Sequence, residues 1–289
     1  REKPHRIVAF MPFDHIGGLD TALRAAASGH SLVTLHERTP EAVASLIARH
    51  RADVLPCSPS FLNLLLLSGV AQRYDLSSLK LIAFGAERMS EALLHRVRAA
   101  FPDVRIEQRF GTSETSALNV TDRRQGEDLF IRFDDPETGA KVVDGELWLR
   151  SPYRILGYLN APDDRLEADG WYRTGDLVEV DPAGYYRILG RRDEVINVGG
   201  EKVYPAVVEE VLLQHPKVAD CQVSALASAL TGSAVQAKVM PHSGIEGGAA
   251  AALRGELRTH CRAYLQAHEV PAKITIGDLS LEGDKIKKT

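Results

Sequence analysis

From Ile7 to Gln108 short apolar runs alternate with amphipathic stretches of helical period. Ile7-Val8-Ala9-Phe10 precedes Leu19–Ala27, Leu32-Val33-Thr34-Leu35 precedes Glu41–Arg49, and Val54-Leu55 precedes Phe61–Leu67. Leu79–Phe84 then precedes Ser90–Ala100, and Val104–Gln108 closes the series. Apolar runs too short for helices, alternating with one-faced helices, predict βαβ units around a parallel sheet, so this part is α/β.

Between about Asn119 and Leu189 the pattern changes. Leu129-Phe130-Ile131, Glu146-Leu147-Trp148-Leu149, Leu177-Val178-Glu179-Val180 and Tyr185-Tyr186-Arg187-Ile188 are separated by Asp-, Gly- and Pro-rich turns such as Asp144-Gly145 and Asp181-Pro182-Ala183-Gly184. That spacing predicts a small antiparallel β-barrel or sandwich. After Gly190 the chain reads as α+β. A helix is expected at Pro205–Gln214, with Pro205 in its first turn, where a missing N–H costs nothing. Strands follow near Ala219–Ser224 and Ala234–Met240, then a surface loop at Gly244–Gly248 and a long helix to about Ala267.

With 289 residues the chain is expected to hold more than one unit. It carries 35 Lys and Arg against 39 Asp and Glu, and its one basic cluster is Lys285, Lys287 and Lys288. That balance argues against nucleic acid as the main partner, because phosphate-backbone binding needs a concentrated positive field. Cys57, Cys221 and Cys261 form neither a C-x-x-C pair nor an even set, which fits a reducing cytoplasm. No histidine spacing suggests a structural metal. No apolar run approaches the ~20 residues needed to span a bilayer. The chain opens at Arg1 inside a pattern, so residue 1 is expected to be the edge of a longer protein.

Four segments carry candidate chemistry. Phe110-Gly111-Thr112-Ser113-Glu114-Thr115 follows a predicted strand and by itself reads most simply as a helix N-cap. Tyr172-Arg173-Thr174-Gly175-Asp176-Leu177 reads as a hairpin turn in which Asp176 bonds its own backbone. Gly190-Arg191-Arg192-Asp193-Glu194 runs on into Asn197-Val198-Gly199-Gly200-Glu201-Lys202-Val203-Tyr204-Pro205, a charged linker followed by a glycine turn. Gly283-Asp284-Lys285-Ile286-Lys287-Lys288 reads as a solvated basic tail.

Four independent turns do not explain this order and spacing. Together the segments closely resemble the adenylate-forming (AMP-binding) superfamily: acyl- and aryl-CoA synthetases, adenylation domains of nonribosomal peptide synthetases, and luciferases. The resemblance extends to Met11-Pro12-Phe13-Asp14-His15-Ile16-Gly17-Gly18-Leu19 and Ile82-Ala83-Phe84-Gly85-Ala86-Glu87, and so covers nearly the whole chain. It implies the adenylate-forming ligase fold. Residues 1–189 would be the C-terminal part of the large N-terminal domain, α/β over 1–118 and a β subdomain over 119–189. A hinge at 190–194, with Asp193 as its pivot, would lead to a mobile α+β domain over 194–289.

In such enzymes a carboxylate attacks the α-phosphate of ATP, pyrophosphate leaves, and a thiol takes the acyl group from the adenylate. The thiol belongs to CoA or to the phosphopantetheine of an acyl carrier protein. By the resemblance, Phe110 would lie against the adenine ring with Gly85, Ala86 and Glu87 on its other side, Ser113 would hydrogen-bond phosphate, and Gly111 and Thr112 would belong to the same ATP/AMP-binding set. Glu114 would hold Mg²⁺, a hard cation that takes oxygen ligands. Asp176 would accept from the ribose hydroxyls, and Arg191 would donate to ribose and phosphate. His15, Gly17, Gly18 and Leu19 would line the pocket for a small carboxylic acid. Gly199, Gly200 and Lys202 would form a loop on the thiol side, and Lys285 would be the adenylation lysine.

Three features depart from the family pattern. Its glycine-rich phosphate loop, expected upstream of Phe10, is absent. Pro205-Ala206-Val207-Val208-Glu209 stands where relatives carry Pro-x-Glu-Val-Glu, and Asp284 intervenes between Gly283 and Lys285. Two other readings stay open. One is an amino-acid-activating domain of a peptide synthetase, with Asp14 on the substrate ammonium. The other is a non-catalytic nucleotide-binding remnant.

Overall fold

The computed structural model describes residues 3–124, 126–242 and 248–279, together with the backbones of 281–282 and 285–286. The Gly244–Gly248 loop lies almost wholly outside the described residues, as do Gly283, Asp284 and the side chain of Lys285. The chain divides into two compact units, Arg1–Ile188 and Leu189–Thr289.

In the first unit five short strands, β1 (Arg6–Val8), β2 (Ser31–Val33), β3 (Val54–Cys57), β4 (Leu81–Phe84) and β5 (Arg105–Gln108), form a parallel sheet in the order β2-β1-β3-β4-β5. The helices α1 (Ile16–Ser28), α2 (Pro40–His50), α3 (Pro59–Leu67) and α4 (Glu91–Ala100) connect them. Each begins where the sequence supplies a side chain for the orphan amides of a helix start. Thr39, Ser58 and Ser90 accept from the amides of Ala42, Phe61 and Leu93, and Pro40 and Pro59 follow two of these caps. The central strands β3 and β4 are largely buried, and Ile47, Leu55, Leu62, Ile82, Leu94 and Ile106 are almost wholly enclosed in the core. The α/β expectation is borne out.

A two-stranded hairpin follows, β6 (Phe110–Thr112) with β7 (Ser116–Leu118). Next comes a six-stranded sheet in the order β10-β11-β12-β13-β9-β8. Its strands are β8 (Val120–Asp122), β9 (Phe130–Phe133), β10 (Gly139–Val143), β11 (Glu146–Arg150), β12 (Tyr172–Val180) and β13 (Tyr186–Arg191). Leu118, Leu147, Leu149 and Val178 form its small core.

The second unit holds β14 (Ile196–Val198), β15 (Glu201–Val203), α5 (Pro205–Leu213), β16 (Val218–Ser228), β17 (Gly232–Pro241), α6 (Gly248–Tyr264) and β18 (Lys273–Ile276). The sheet order is β15-β14-β17-β16, with β18 parallel to β17. Val208, Leu212, Leu257 and Cys261 from the two helices pack with Val223 and Val239 from the sheet. A short antiparallel pair, β19 (Leu281–Glu282) and β20 (Lys285–Ile286), ends the described chain.

Candidate active site

The motif turns of the first unit gather at the carboxyl ends of the parallel strands, the usual location of ligands in open α/β sheets. β4 runs into Gly85-Ala86-Glu87, and β5 runs into Arg109 and the β6 hairpin. The two exits are joined, since the Arg109 amide donates to the Phe84 carbonyl at 2.7 Å. A Cβ at Gly85 would lie 3.0 Å from the Arg109 carbonyl oxygen, so a larger residue would push the turns apart. The Glu87 carboxylate points toward α3, where it accepts from the Ser60 amide at 3.1 Å and from the Ser60 hydroxyl. β1 leads to His15, which caps α1 by accepting the Gly17 amide on Nδ1 at 3.2 Å. Gly17, Gly18 and Leu19 form the first turn of α1, which packs beside β7.

Thr112 to Thr115 do not cap a helix, as the motif by itself suggested; they make the turn of the β6/β7 hairpin. Thr115, fully buried, closes the turn: its hydroxyl accepts the Thr112 amide at 3.3 Å and its amide donates to the Thr112 hydroxyl at 3.2 Å. Gly111 makes the hairpin close enough to form, because a Cβ there would stand 2.4 Å from the Ser116 carbonyl oxygen. The turn leaves Ser113 exposed and Glu114 half-buried. Phe110 meets Phe133 edge-on, with centroids 5.6 Å apart.

A distant segment clamps this turn. The Ser151 hydroxyl donates to the Thr115 carbonyl at 3.1 Å and the Ile155 amide to the Glu114 carbonyl at 2.9 Å. The Tyr158 hydroxyl donates to Glu114 Oε1 at 2.6 Å. Burial alone would raise the Glu114 pKa, but hydrogen bonds from Tyr158, its own backbone, Thr112 and Tyr172 outweigh that and hold it below the ordinary glutamate value. Burial and the facing carboxylate push the Tyr158 and Tyr172 phenols up, so both stay protonated donors.

Asp176, expected in a turn, lies inside β12 and is buried. Its amide donates to the Thr174 hydroxyl at 3.0 Å, and that hydroxyl donates to the Leu147 carbonyl at 2.7 Å.

The remaining candidates belong to the second unit. Arg191 ends β13, and Asp193 sits in a single 3-10 turn, Arg192–Glu194. Gly199 and Gly200 turn β14 into β15 with φ of 63° and 99°, and Asn197 Oδ1 accepts the Gly200 amide at 2.8 Å. Lys202 is exposed on β15. The backbone of Lys285 pairs with that of Glu282. Where relatives carry a first carboxylate this chain has the half-exposed Val207, while Glu209 is buried and accepts the Val223 amide at 3.0 Å.

Sequence reasoning missed Tyr158 and Glu146. Tyr158 gave no signal, being one aromatic residue in a polar loop. Glu146 did give one, because it opens an apolar strand at a buried position. Among the described residues no group of three or more His, Cys, Asp or Glu side chains is gathered to hold a metal. A cation at Glu114 would therefore share its coordination with phosphate oxygens, which suits Mg²⁺, commonly held by one or two carboxylates. An ionised, half-buried oxygen donor fits that ion.

Residues 2–159 match the AMP-binding enzyme family, and residues 207–282 match the AMP-binding enzyme C-terminal domain. A probable CoA ligase of Humulus lupulus is 31% identical over 240 residues, covering 76% of this chain and 44% of that protein. A pyochelin synthase of Pseudomonas aeruginosa is 34% identical over 232 residues, covering 74% and 42%. The crystal structure of an anthranilate CoA ligase in complex with anthranoyl-AMP superposes with a TM-score of 0.85 at 25% identity, covering 98% of this chain and 60% of that one. The chain thus spans under half the length of the two curated relatives.

Proposed function

The chain belongs to the AMP-binding enzyme family, and on that premise we propose that it is the C-terminal part of an ATP-dependent, AMP-forming acid–thiol ligase. The observation that carries the reading is the gathering of the Gly85 turn, the Glu114 hairpin and the His15 cap at one end of a parallel sheet. The task is electrostatic, since a carboxylate must approach a polyanion. Mg²⁺ held at Glu114 would supply charge neutralisation on the phosphates when bound.

The chain's own residues supply the rest. Tyr158 and Tyr172 keep Glu114 ionised and aimed. The Gly85-Ala86-Glu87 turn and Phe110 frame the adenine, Gly111 and Thr112 shape the hairpin, and Ser113, exposed at its tip, donates to phosphate. Asp176 accepts from the ribose hydroxyls, and Arg191 donates to ribose and phosphate. His15, Gly17, Gly18 and Leu19 border the acid pocket. Lys285 bridges the substrate carboxylate and the α-phosphate. Asp193 is the pivot of the second unit, and Gly199, Gly200 and Lys202 face the thiol.

Similarity to CoA ligases favours CoA as the acceptor, and similarity to a pyochelin synthase supports carrier-protein phosphopantetheine as the second reading. The test is pyrophosphate release by the full-length protein over aryl, fatty and amino acids, followed by transfer to CoA or to a loaded carrier protein. Release with a single acid class and AMP as coproduct is expected. No release with any acid would leave only nucleotide binding.

A further inference from the structure

Strands β11 and β12 do not run in simple register. Glu146 pairs with Leu177 and Trp148 with Arg173, so one residue of β11, Leu147, faces three of β12: Thr174, Gly175 and Asp176. A bulge of this kind leaves ladder groups without their normal partners, and buried backbone groups must find others. Here side chains replace the ladder. The Glu146 carboxylate accepts the Gly175 amide at 2.8 Å. The Thr174 hydroxyl donates to the Leu147 carbonyl at 2.7 Å and accepts the Asp176 amide at 3.0 Å. Glu146, Thr174 and Asp176 are all buried, at 7%, 0% and 8% exposure. Gly175 holds φ of 77°, a left-handed conformation that glycine adopts without a Cβ penalty.

We propose that Glu146 is a positioning residue for Asp176, setting through the Gly175 bulge the enzyme's selectivity for the ribose hydroxyls of its nucleotide. The inference rests on the reading of Asp176 as the ribose acceptor. A buried carboxylate opposite a simple ladder would be a costly way to fill a core position. Opposite this bulge it anchors the amide of Gly175, which has no register partner on β11, and Gly175 leads directly into Asp176. Were the Gly175 amide released, the bulge would lose one of its anchors, and Asp176, its last residue, would no longer be held in one position.

The experiment is calorimetric titration of the full-length protein with ATP, 2′-deoxyATP and 3′-deoxyATP, comparing ratios of affinity rather than affinities. In the unaltered protein ATP should bind more tightly than either deoxynucleotide. Asp176→Asn and Glu146→Ala should each lower that ratio by about tenfold, the scale of a hydrogen bond to a charged group. Glu146→Asp, too short to reach the Gly175 amide, should lower it likewise, and it serves if the alanine variant does not fold. Glu146→Gln retains an acceptor oxygen and should restore the ratio. A merely structural Glu146 would weaken all three nucleotides equally. A ratio kept in Glu146→Ala or Glu146→Asp but lost in Asp176→Asn overturns the positioning role alone. A ratio kept in Asp176→Asn overturns the ribose reading, and this inference with it.

Discussion

Tyr158 and Glu114, 44 positions apart in sequence, meet through a 2.6 Å hydrogen bond from the phenol to Oε1. The bond fixes one oxygen of the carboxylate proposed to hold Mg²⁺, so its loss should be felt first in the cation requirement. Tyr158→Phe should raise the Mg²⁺ concentration for half-maximal nucleotide binding by about tenfold, since hydrogen bonds to charged groups contribute about 1.5–3 kcal/mol. Titrating Mg²⁺ against a fluorescent ATP analogue reads this directly, and an unchanged midpoint would separate Tyr158 from the cation site. The pH dependence has a definite sign. A depressed folded-state pKa gives stability that is present above the ordinary glutamate value and lost as pH falls below it. The stability gap between the unaltered protein and Tyr158→Phe should therefore be largest near neutrality and close as pH falls below the ordinary glutamate value.

Asp122 titrates in the opposite sense. Burial first, then the neighbouring Glu107, push its carboxyl from 3.8 up to about 6, and the Gln108 amide opposes this only in part. The folded state then holds the proton more tightly than the unfolded chain, so stability falls as pH rises from about 4 to about 6. Asp122→Asn should flatten that slope and stabilise the protein at pH 7 by on the order of 1 kcal/mol, after discounting for solvent screening. Thermal unfolding at pH 4 through 7 checks both parts.

Gly111→Ala should be far more harmful to chemistry than to folding. Its new Cβ would stand 2.4 Å from the Ser116 carbonyl oxygen and 2.8 Å from the Ala117 Cα, so the hairpin must open. Glu114 moves with it, and displacement of about 1 Å in a catalytic constellation can cost about 10²-fold. Pyrophosphate exchange by the full-length enzyme should drop by about that factor, while the parallel-sheet core, which lies elsewhere, keeps its cooperative unfolding. Retained exchange would show that the hairpin tolerates opening.

Lys285→Ala should lower acid-dependent pyrophosphate exchange by about 10²–10³, the scale of one positioned donor at developing charge. Thioester formation from preformed acyl-adenylate should be nearly untouched. Lys287→Ala is the control, because a merely solvated tail would make the two variants alike. Equal losses would return the segment to the status of a basic tail.

The linear pattern determined a good deal of this protein. Apolar runs and one-faced helices fixed the βαβ layer, and Thr39, Ser58 and Ser90 marked the starts of three helices, because caps and periodicity act within a few residues of themselves. The order of the motifs was enough to indicate the family that the comparisons show. Tertiary structure decided what each motif does locally. Thr112 to Thr115 could cap a helix or turn a hairpin, since both use hydroxyls to satisfy nearby amides. The choice fell to Leu118, which pairs with Phe110 and is buried with Leu147, Leu149 and Val178. The Asp176 bulge is likewise invisible in one strand, because register is a relation between two strands. The Tyr158–Glu114 bond and the Glu146–Gly175 bond join positions 44 and 29 residues apart. Local propensity carries no information over such separations; only the packing of the assembled core brings those groups within hydrogen-bonding distance.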